Sequence, residues 1–237
     1  MKTCLAACCL AMTVAQCHPL ASSTPAARSE VDLAPDIVER FLHSGEPRVT
    51  SYRALRHLEA STRGGRMSAA LDAWTELSPD GTFRFEIVTE SGSALIRKRV
   101  LVAALMAEQQ SRNRRETDAV ELTSANYEFQ VGPGPELGQL TLGLSPKRKS
   151  PMLIRGSAII AAGDADLVRV EGRLAASPSF WTRQVDIVRR YSRLGGVRVP
   201  VEMRSLAKVR MVGPSSFSMT YEYAMLNGMD LREDAAR

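Results

Sequence analysis

The residues of this chain that could perform chemistry are few and scattered. Its three histidines are His18, His43 and His57, and no two of them have the spacing of metal ligands. The chain contains no Gly-x-Ser-x-Gly sequence, which would form the nucleophile turn of a hydrolase. Gly132 and Gly134 are each followed by proline, which predicts a turn instead of a dinucleotide-binding loop. These patterns favour a protein that is not an enzyme.

One pair of carboxylates has the spacing of a cation site. Asp164 and Asp166 lie two residues apart on a predicted hairpin. A cation in a protein usually needs six or more oxygen ligands, and two carboxylates on a hairpin more often form a solvated turn. We therefore expect no metal and no cofactor.

The N-terminus predicts export. Lys2 is followed by an apolar run over residues 5–15, which is typical of a secretory signal peptide, and we place that signal over residues 1–17. The small residues at 21–23 offer one cleavage site. The sequence VAQC at 14–17 resembles a bacterial lipobox, in which Cys17 would be lipidated, although Gln16 departs from the small residue that this motif prefers. Both alternatives stay open.

The four cysteines all lie in this N-terminal segment, at Cys4, Cys8, Cys9 and Cys17. The remaining chain therefore has no disulfide and no cysteine-based zinc site. Residues 18–30 are rich in Ser, Ala and Pro and predict a flexible linker. We expect one folded domain over 31–231 and a short tail at 232–237.

The net charge of +5 is mild for 237 residues, and only 5% of the residues are aromatic. Nucleic-acid binding usually combines basic residues with aromatic side chains, so we expect no nucleic-acid partner. Attraction to anionic lipid head groups at an envelope membrane is the more plausible use of the basic clusters. The oligomeric state is left undetermined.

The elements alternate between two periodicities. Helical spacing predicts helices over 35–44 and 97–111, and alternation with a period of two predicts about ten strands separated by Gly/Pro turns. The fold class is mainly β (α+β): a single curved antiparallel sheet, or unclosed half-barrel, with a helix on its concave face. Large apolar residues at alternating strand positions and along the inserted helix are the candidate cavity lining: Phe83, Phe85, Ile87, Leu101, Leu105, Met106, Phe129, Leu140, Leu142, Met203, Phe217 and Met219.

Several strand-and-turn phrases resemble a known family. They are NYEF at 126–129, LGLSPK at 142–147, RVEGR at 169–173 and YEYAMLNG at 221–228. Together with the order of helices and strands over about 31–231, they look like the LolA/LolB-like outer-membrane lipoprotein-sorting proteins. The resemblance implies an unclosed barrel that takes up acyl chains beneath helical lids.

This resemblance and the empty search for catalytic motifs predict a carrier or receptor for lipid or lipoprotein acyl chains. Its expected location is the periplasm, with outer-membrane attachment if Cys17 is lipidated. The alternative is a non-enzymatic interaction or stress-sensing module on the same fold. A filled core and a lipid cavity have the same sequence pattern, so the sequence leaves both interpretations of the interior open.

Overall fold

The computed structural model describes residues 34–43, 47–113, 121–177, 182–210 and 213–231. The predicted signal peptide, Cys17, the linker and the C-terminal tail lie outside these residues. Within them, no helix is both long enough and apolar enough to cross a bilayer.

The described residues form a single antiparallel sheet. Its strands are β1 (Tyr52–Thr62), β2 (Met67–Leu77), β3 (Phe83–Gly92), β4 (Tyr127–Pro133), β5 (Gln139–Pro146), β6 (Ile154–Ala161), β7 (Leu167–Leu174), β8 (Thr182–Leu194), β9 (Val197–Val209), β10 (Gly213–Leu226) and the short β11 (Met229–Asp230). The order across the sheet is β3-β2-β1-β10-β9-β8-β7-β6-β5-β4, and β11 pairs with β10. Because β3 and β4 are its edges, the sheet does not close, as the sequence predicts.

Both predicted helices are present. The first, α1, spans Ala34–His43. The second, which we call the inserted helix, follows β3 and consists of α2 (Ala94–Ile96), a π-helical segment (Arg97–Val102) and α3 (Ala103–Asn113). The strand boundaries also agree with the predicted pattern, apart from β11, which the sequence did not indicate.

The two helices cover different halves of the same sheet face, which we call the inner face. From α1, Ile37 and Phe41 pack with the apolar residues of β4–β8, among them Leu142 and Ile160. The inserted helix packs on β1, β2 and β10, where Leu101 and Leu105 meet Leu58, Leu71 and Met219. The predicted packing of the inserted helix on one face of the sheet is therefore confirmed, and α1 covers a second part of the same face. A helix is about 10 Å wide, and neighbouring strands are about 4.8 Å apart, so one helix cannot cover ten strands.

A pair of glycines lets two strands approach closely. Gly156 of β6 is the register partner of Gly172 of β7. A Cβ added at Gly156 would overlap the backbone of Glu171 and Gly172, whereas one added at Gly143 of β5 would meet Gln130 O at 3.4 Å, an ordinary contact.

We expect Gly156→Ala to destabilise the fold by several kcal/mol, because the clash is with backbone atoms that cannot move aside. Gly143→Ala is the matched control and should cost less than about 1 kcal/mol. Urea unfolding followed by circular dichroism measures both. Equal stability of the two variants would contradict this packing.

Candidate functional site

The strand register places the predicted cavity residues of the strands on one face of the sheet. On β10, Phe217 and Met219 pair with Ala60 and Leu58, and Met203 of β9 pairs with Met219. The same alternation continues to both edges of the sheet. All nine strand candidates lie on the inner face: Phe83, Phe85, Ile87, Phe129, Leu140, Leu142, Met203, Phe217 and Met219.

Burial divides these residues into three groups. Phe83, Leu101, Leu105 and Leu142 are fully buried and Met219 is nearly so, and these five belong to the packed core. Partial burial is shared by Phe85, Phe129, Leu140, Met203 and Phe217. By contrast, Ile87 and Met106 are exposed, and Met106 keeps 47% of its accessible surface. Much of the predicted lining therefore fills the interior.

An apolar cavity of about 330 Å³ remains open on the inner face. It lies between the beginning of the inserted helix and strands β1, β9 and β10. Its walls are Leu95, Ile96, Val100, Ala207, Val209 and Phe217, with hydroxyls of Ser and Thr at the strand ends and Arg99 as its single charged residue. Phe217 is the only predicted candidate among them. The sequence does not single out Leu95, Ala207 and Val209 as lining residues. Ala207 is small, and Leu95 and Val209 lie near the ends of their elements, so none of them differs in pattern from its neighbours.

The π-helical segment orients the inserted helix at this cavity. Ile96, Leu101 and Leu105 are all buried against the sheet, although Leu101 follows Ile96 by five positions. At about 100° per residue, a regular α-helix would place them roughly 140° apart. The wider π turn brings them onto one face, and it lies where Leu95 and Val100 border the cavity. Such turns are rare and often occur at functional sites.

A buried arginine fixes the inserted helix to the sheet. Arg56 of β1 is 2% exposed, and its Nη1 and Nη2 donate to Glu108 Oε2 and Oε1 of α3 at 2.6 and 3.2 Å. Its Nη2 also donates to the hydroxyl of Tyr52 at 2.6 Å. The guanidinium carbon lies 4.7 Å from the ring centroid of Tyr221 and 5.3 Å from that of Phe83. This set of five residues is called the Arg56 cluster below.

The directions of the pKa shifts within the cluster favour a charged pair. Burial disfavours the charged form of Arg56, but the hydrogen bonds and charge of Glu108 outweigh this and raise the pKa of the guanidinium. Burial also acts against ionised Glu108, and Arg56 with Arg112 nevertheless holds the pKa of that carboxyl below its usual value. Burial raises the pKa of Tyr221 to about 12, so its phenol is neutral at ordinary pH.

The sequence contained a signal for this cluster. The inward positions of β1 are Tyr52, Ala54, Arg56, Leu58 and Ala60, so a charged residue interrupts an apolar row. A buried charge needs a partner. The sequence does not identify Glu108 as that partner, because 52 residues separate the two.

The polar contacts of the inserted helix are all on one side. Arg97 pairs with Glu90 of β3 at 3.2 Å, and Gln109 Nε2 donates to Phe83 O of β3 at 3.0 Å. With the Arg56 cluster, these contacts hold the helix to β1 and β3. Toward β9 and β10, the contacts of the described helix residues are apolar, and there the cavity lies.

The opposite face of the sheet, the outer face, carries a larger groove of about 620 Å³. Carboxylates and basic side chains line it, among them Glu59, Asp186, Glu202 and Arg204, together with Leu206, which is 62% exposed. Charged walls disfavour an acyl chain, because covering ionised groups with hydrocarbon removes them from water at a cost in free energy. Size alone therefore does not make this groove the lipid site.

His57 lies at the margin of this groove, between two carboxylates. Its Nδ1 is 2.8 Å from Asp72 Oδ1 and its Nε2 is 3.1 Å from Glu222 Oε1. The hydrogen bond with Asp72 is the main cause that raises the pKa of His57, and the bond with Glu222 adds to it. The pKa of Asp72 is lowered, first by the Thr89 hydroxyl at 2.6 Å and then by His57.

The other residues considered for chemistry have structural contacts. His43 ends α1, with Nδ1 3.0 Å from Glu39 Oε2. Asp166 accepts hydrogen bonds from Arg193 and Arg198 at 3.1 and 2.7 Å, and Asp164 accepts one from the backbone N–H of Asp166. Within the described ranges, no three His, Cys, Asp or Glu side chains are arranged to hold a metal ion.

Comparison with known proteins gives structural similarities only. No protein-family model and no curated protein matches the chain. A DUF1329 family protein from Desulfovibrio piger aligns over 79% of this chain and 89% of its own, with 10% identity and a TM-score of 0.39. A LolA superfamily protein from Nitrosomonas europaea aligns over 85% of this chain and 96% of its own, with 10% identity and a TM-score of 0.37. The second of these proteins bears the family name that the sequence phrases resemble. At this identity and TM-score the two similarities carry no argument about this chain, and any statement on ligands depends on its own residues.

We expect Glu108→Ala to destabilise the protein by about 3 kcal/mol, because it leaves the buried Arg56 guanidinium without its carboxylate. The double variant Arg56→Met/Glu108→Leu removes both charges and should recover most of that loss. Arg112→Ala removes the partner of Glu108 that is more exposed to solvent than Arg56, and it should cost less than about 1 kcal/mol. Urea unfolding measures all three. If the double variant is less stable than Glu108→Ala, the ion pair is not the source of the loss.

The His57 contacts predict a pH-dependent contribution to stability. Because its folded pKa is raised above 6.5, the contribution is complete below about 6.5 and is lost as the pH rises through the folded pKa. Asp72 stays ionised at pH 5.5 because its pKa is lowered. We expect His57→Gln to lower the free energy of unfolding by about 0.2–1 kcal/mol at pH 5.5 and not at pH 8.5, since the pair is partly exposed to solvent. An equal loss at both pH values would refute a charged pair.

Proposed function

We propose that this protein is a carrier or receptor for lipid acyl chains, which bind in the cavity between the inserted helix and strands β1, β9 and β10. The observation that supports this proposal is an open, apolar space beneath the helix, next to a part of the interior that is packed. The predicted export signal favours action in the cell envelope, in the periplasm or at the outer membrane. Lipidation of Cys17 would make the protein a membrane-anchored receptor.

The cavity volume indicates how much ligand it takes. At about 330 Å³ it lies at the lower end of ligand pockets, which are roughly 300–1,000 Å³. This favours a single chain. Each buried methylene contributes about 0.8 kcal/mol, so about ten methylenes give a gross gain near 8 kcal/mol. A membrane solvates the chain equally well, so transfer between membrane and cavity is close to balance, and a carrier can release its ligand.

The asymmetric attachment of the inserted helix supports a route for the chain. Its ion pairs and hydrogen bonds are with β1 and β3, so separation of the helix from this side would break charged contacts. Separation from β9 and β10 would expose apolar surface that an acyl chain can cover again. Leu95 and Val100, both exposed, lie at this side of the cavity. The chain therefore enters between the helix and the β9–β10 hairpin.

The alternative function, an interaction module, has one observation in its favour. The outer-face groove is nearly twice as large as the apolar cavity and has an exposed Leu206 among its charged walls. A mixed apolar and charged surface of this kind suits a protein partner. The two functions use opposite faces of β9, so substitutions at neighbouring residues separate them.

We expect Ala207→Trp to fill the cavity and weaken the binding of a fluorescent fatty acid by at least about tenfold, which corresponds to about 1.4 kcal/mol. Ala207 lines the cavity, whereas its neighbour Leu206 lies on the outer face. Leu206→Trp is therefore the matched control and should leave fatty-acid binding within about twofold. Both variants should keep the circular dichroism spectrum of the parent. Aspartate at Leu101 is a poorer test, since Leu101 is fully buried and its loss would unfold the protein.

Two results would contradict the lipid-carrier proposal. If the parent binds no fatty acid, and native mass spectrometry of protein purified from its host shows only the bare polypeptide, the lipid-carrier proposal fails. If Leu206→Trp abolishes function in the host while Ala207→Trp does not, the interaction module is the better description.

A further inference from the structure

The hairpin turns of this sheet are segregated by charge. In an antiparallel meander, successive turns lie at opposite ends of the strands. The turns β1–β2, β5–β6, β7–β8 and β9–β10 lie at one end, and β2–β3, β4–β5, β6–β7, β8–β9 and β10–β11 lie at the other. The turns of the first group contain six basic residues and no acidic one: Arg63, Arg66, Lys147, Arg148, Lys149 and Arg210. Those of the second group contain four acidic residues and no basic one: Asp80, Glu136, Asp164 and Asp166.

We call the first of these the basic end. It also contains the beginning of the inserted helix, where Lys98 and Arg99 are exposed, and exposed Arg183 and Lys208 on β8 and β9. Among residues 121–126, the described part of the segment that leads into β4, Glu121 is the one acidic residue. The basic end is thus strongly positive, although the net charge of the whole chain is only +5.

Six of the basic side chains at this end have no acidic partner among the described residues. Within the described ranges, Arg63, Arg66, Lys98, Arg99, Arg183 and Lys208 make no ion pair. We call the opposite end of the sheet, where the turns with acidic residues lie, the acidic end. There, Arg193 and Arg198 pair with Asp166. A cluster of unpaired basic side chains attracts an anionic surface and repels a cationic one.

The basic end coincides with the opening of the apolar cavity. Thr62, Val209 and Ser215, at the ends of β1, β9 and β10, line the cavity, and so do Leu95 and Arg99 of the inserted helix. Val209 also borders a groove with Arg183, Lys208 and Arg210. Leu95 is 56% exposed amid these charges. Exposed apolar residues surrounded by basic ones are the pattern of a surface that rests on an anionic bilayer.

We propose that the basic end docks on an anionic lipid bilayer, with Leu95 and Val100 at the membrane surface and the cavity opening toward the acyl chains. This inference rests on the proposed function, because docking in this orientation would allow a chain to pass between bilayer and cavity without crossing water. The acidic end faces away, since anionic lipid repels it. Each basic residue near such a surface strengthens binding by about fivefold at physiological salt.

Vesicle co-sedimentation of the full chain tests the orientation. The vesicles are phosphatidylcholine alone, or phosphatidylcholine with about a third phosphatidylglycerol. We expect binding to the anionic vesicles only, lost at high salt because ions screen the attraction. Arg66→Gln/Lys208→Gln, at the basic end, should weaken binding by at least about tenfold. Arg48→Gln/Arg84→Gln removes the same charge from exposed positions toward the acidic end and should leave binding unchanged.

Two results would overturn the proposal: no binding to anionic vesicles at low salt, or equal weakening by both double variants, which would show that only net charge matters. Fatty-acid binding by the same proteins separates this proposal from the proposed function. Arg66→Gln/Lys208→Gln should retain it, because neither residue lines the cavity. Oriented vesicle binding without fatty-acid binding would refute the carrier and leave the docking surface standing. Fatty-acid binding without vesicle binding would refute the docking surface and leave the carrier standing.

Discussion

The central contact between the inserted helix and the sheet is the ion pair between Arg56 of β1 and Glu108 of α3. Arg56 occupies an inward position of β1, where every neighbouring inward residue is apolar or aromatic. A guanidinium in that environment is stable only with a carboxylate and further hydrogen-bond partners, and Glu108 and Tyr52 supply both. Because Glu108 belongs to the inserted helix, satisfying this charge fixes where the helix lies on the sheet. The aromatic rings of Phe83 and Tyr221 then surround the pair and limit its contact with water.

This attachment explains why the interior is filled in one place and open in another. Around the Arg56 cluster, Leu101 and Leu105 are fully buried and pack on β1 and β2. Toward β9 the facing residues are small, with Ser205 and Ala207 opposite the first turns of the helix. Small strand residues beneath a helix that is held from the other side leave a gap. The cavity is thus a consequence of where the ion pair places the helix.

The charge segregation of the turns has a topological cause. Alternate turns of an antiparallel meander lie at the same end of the sheet, so a sequence that alternates basic and acidic turns produces two oppositely charged ends. The net charge of the whole chain conceals this arrangement, and its value of +5 had suggested only a mild attraction to lipid head groups. Two of the basic clusters, at 97–99 and 147–149, lie at the same end of the sheet as the basic turns β1–β2 and β9–β10. The cavity opens at that end of the sheet.

The sequence by itself determined the strands, the two helices and which strand residues share a face, because periods of 2 and 3.6 are local properties of the backbone. Phe217 and Met219 therefore fell on the inner face as predicted. Only the tertiary structure decided which inward residues fill the core and which border open space, since Leu101 and Val100 differ by one position and have opposite surroundings. It also decided that Arg56 meets Glu108, that α1 covers β4–β8, and that distant basic turns share one end. These are contacts between residues far apart in the chain, and their geometry depends on the register of the whole sheet.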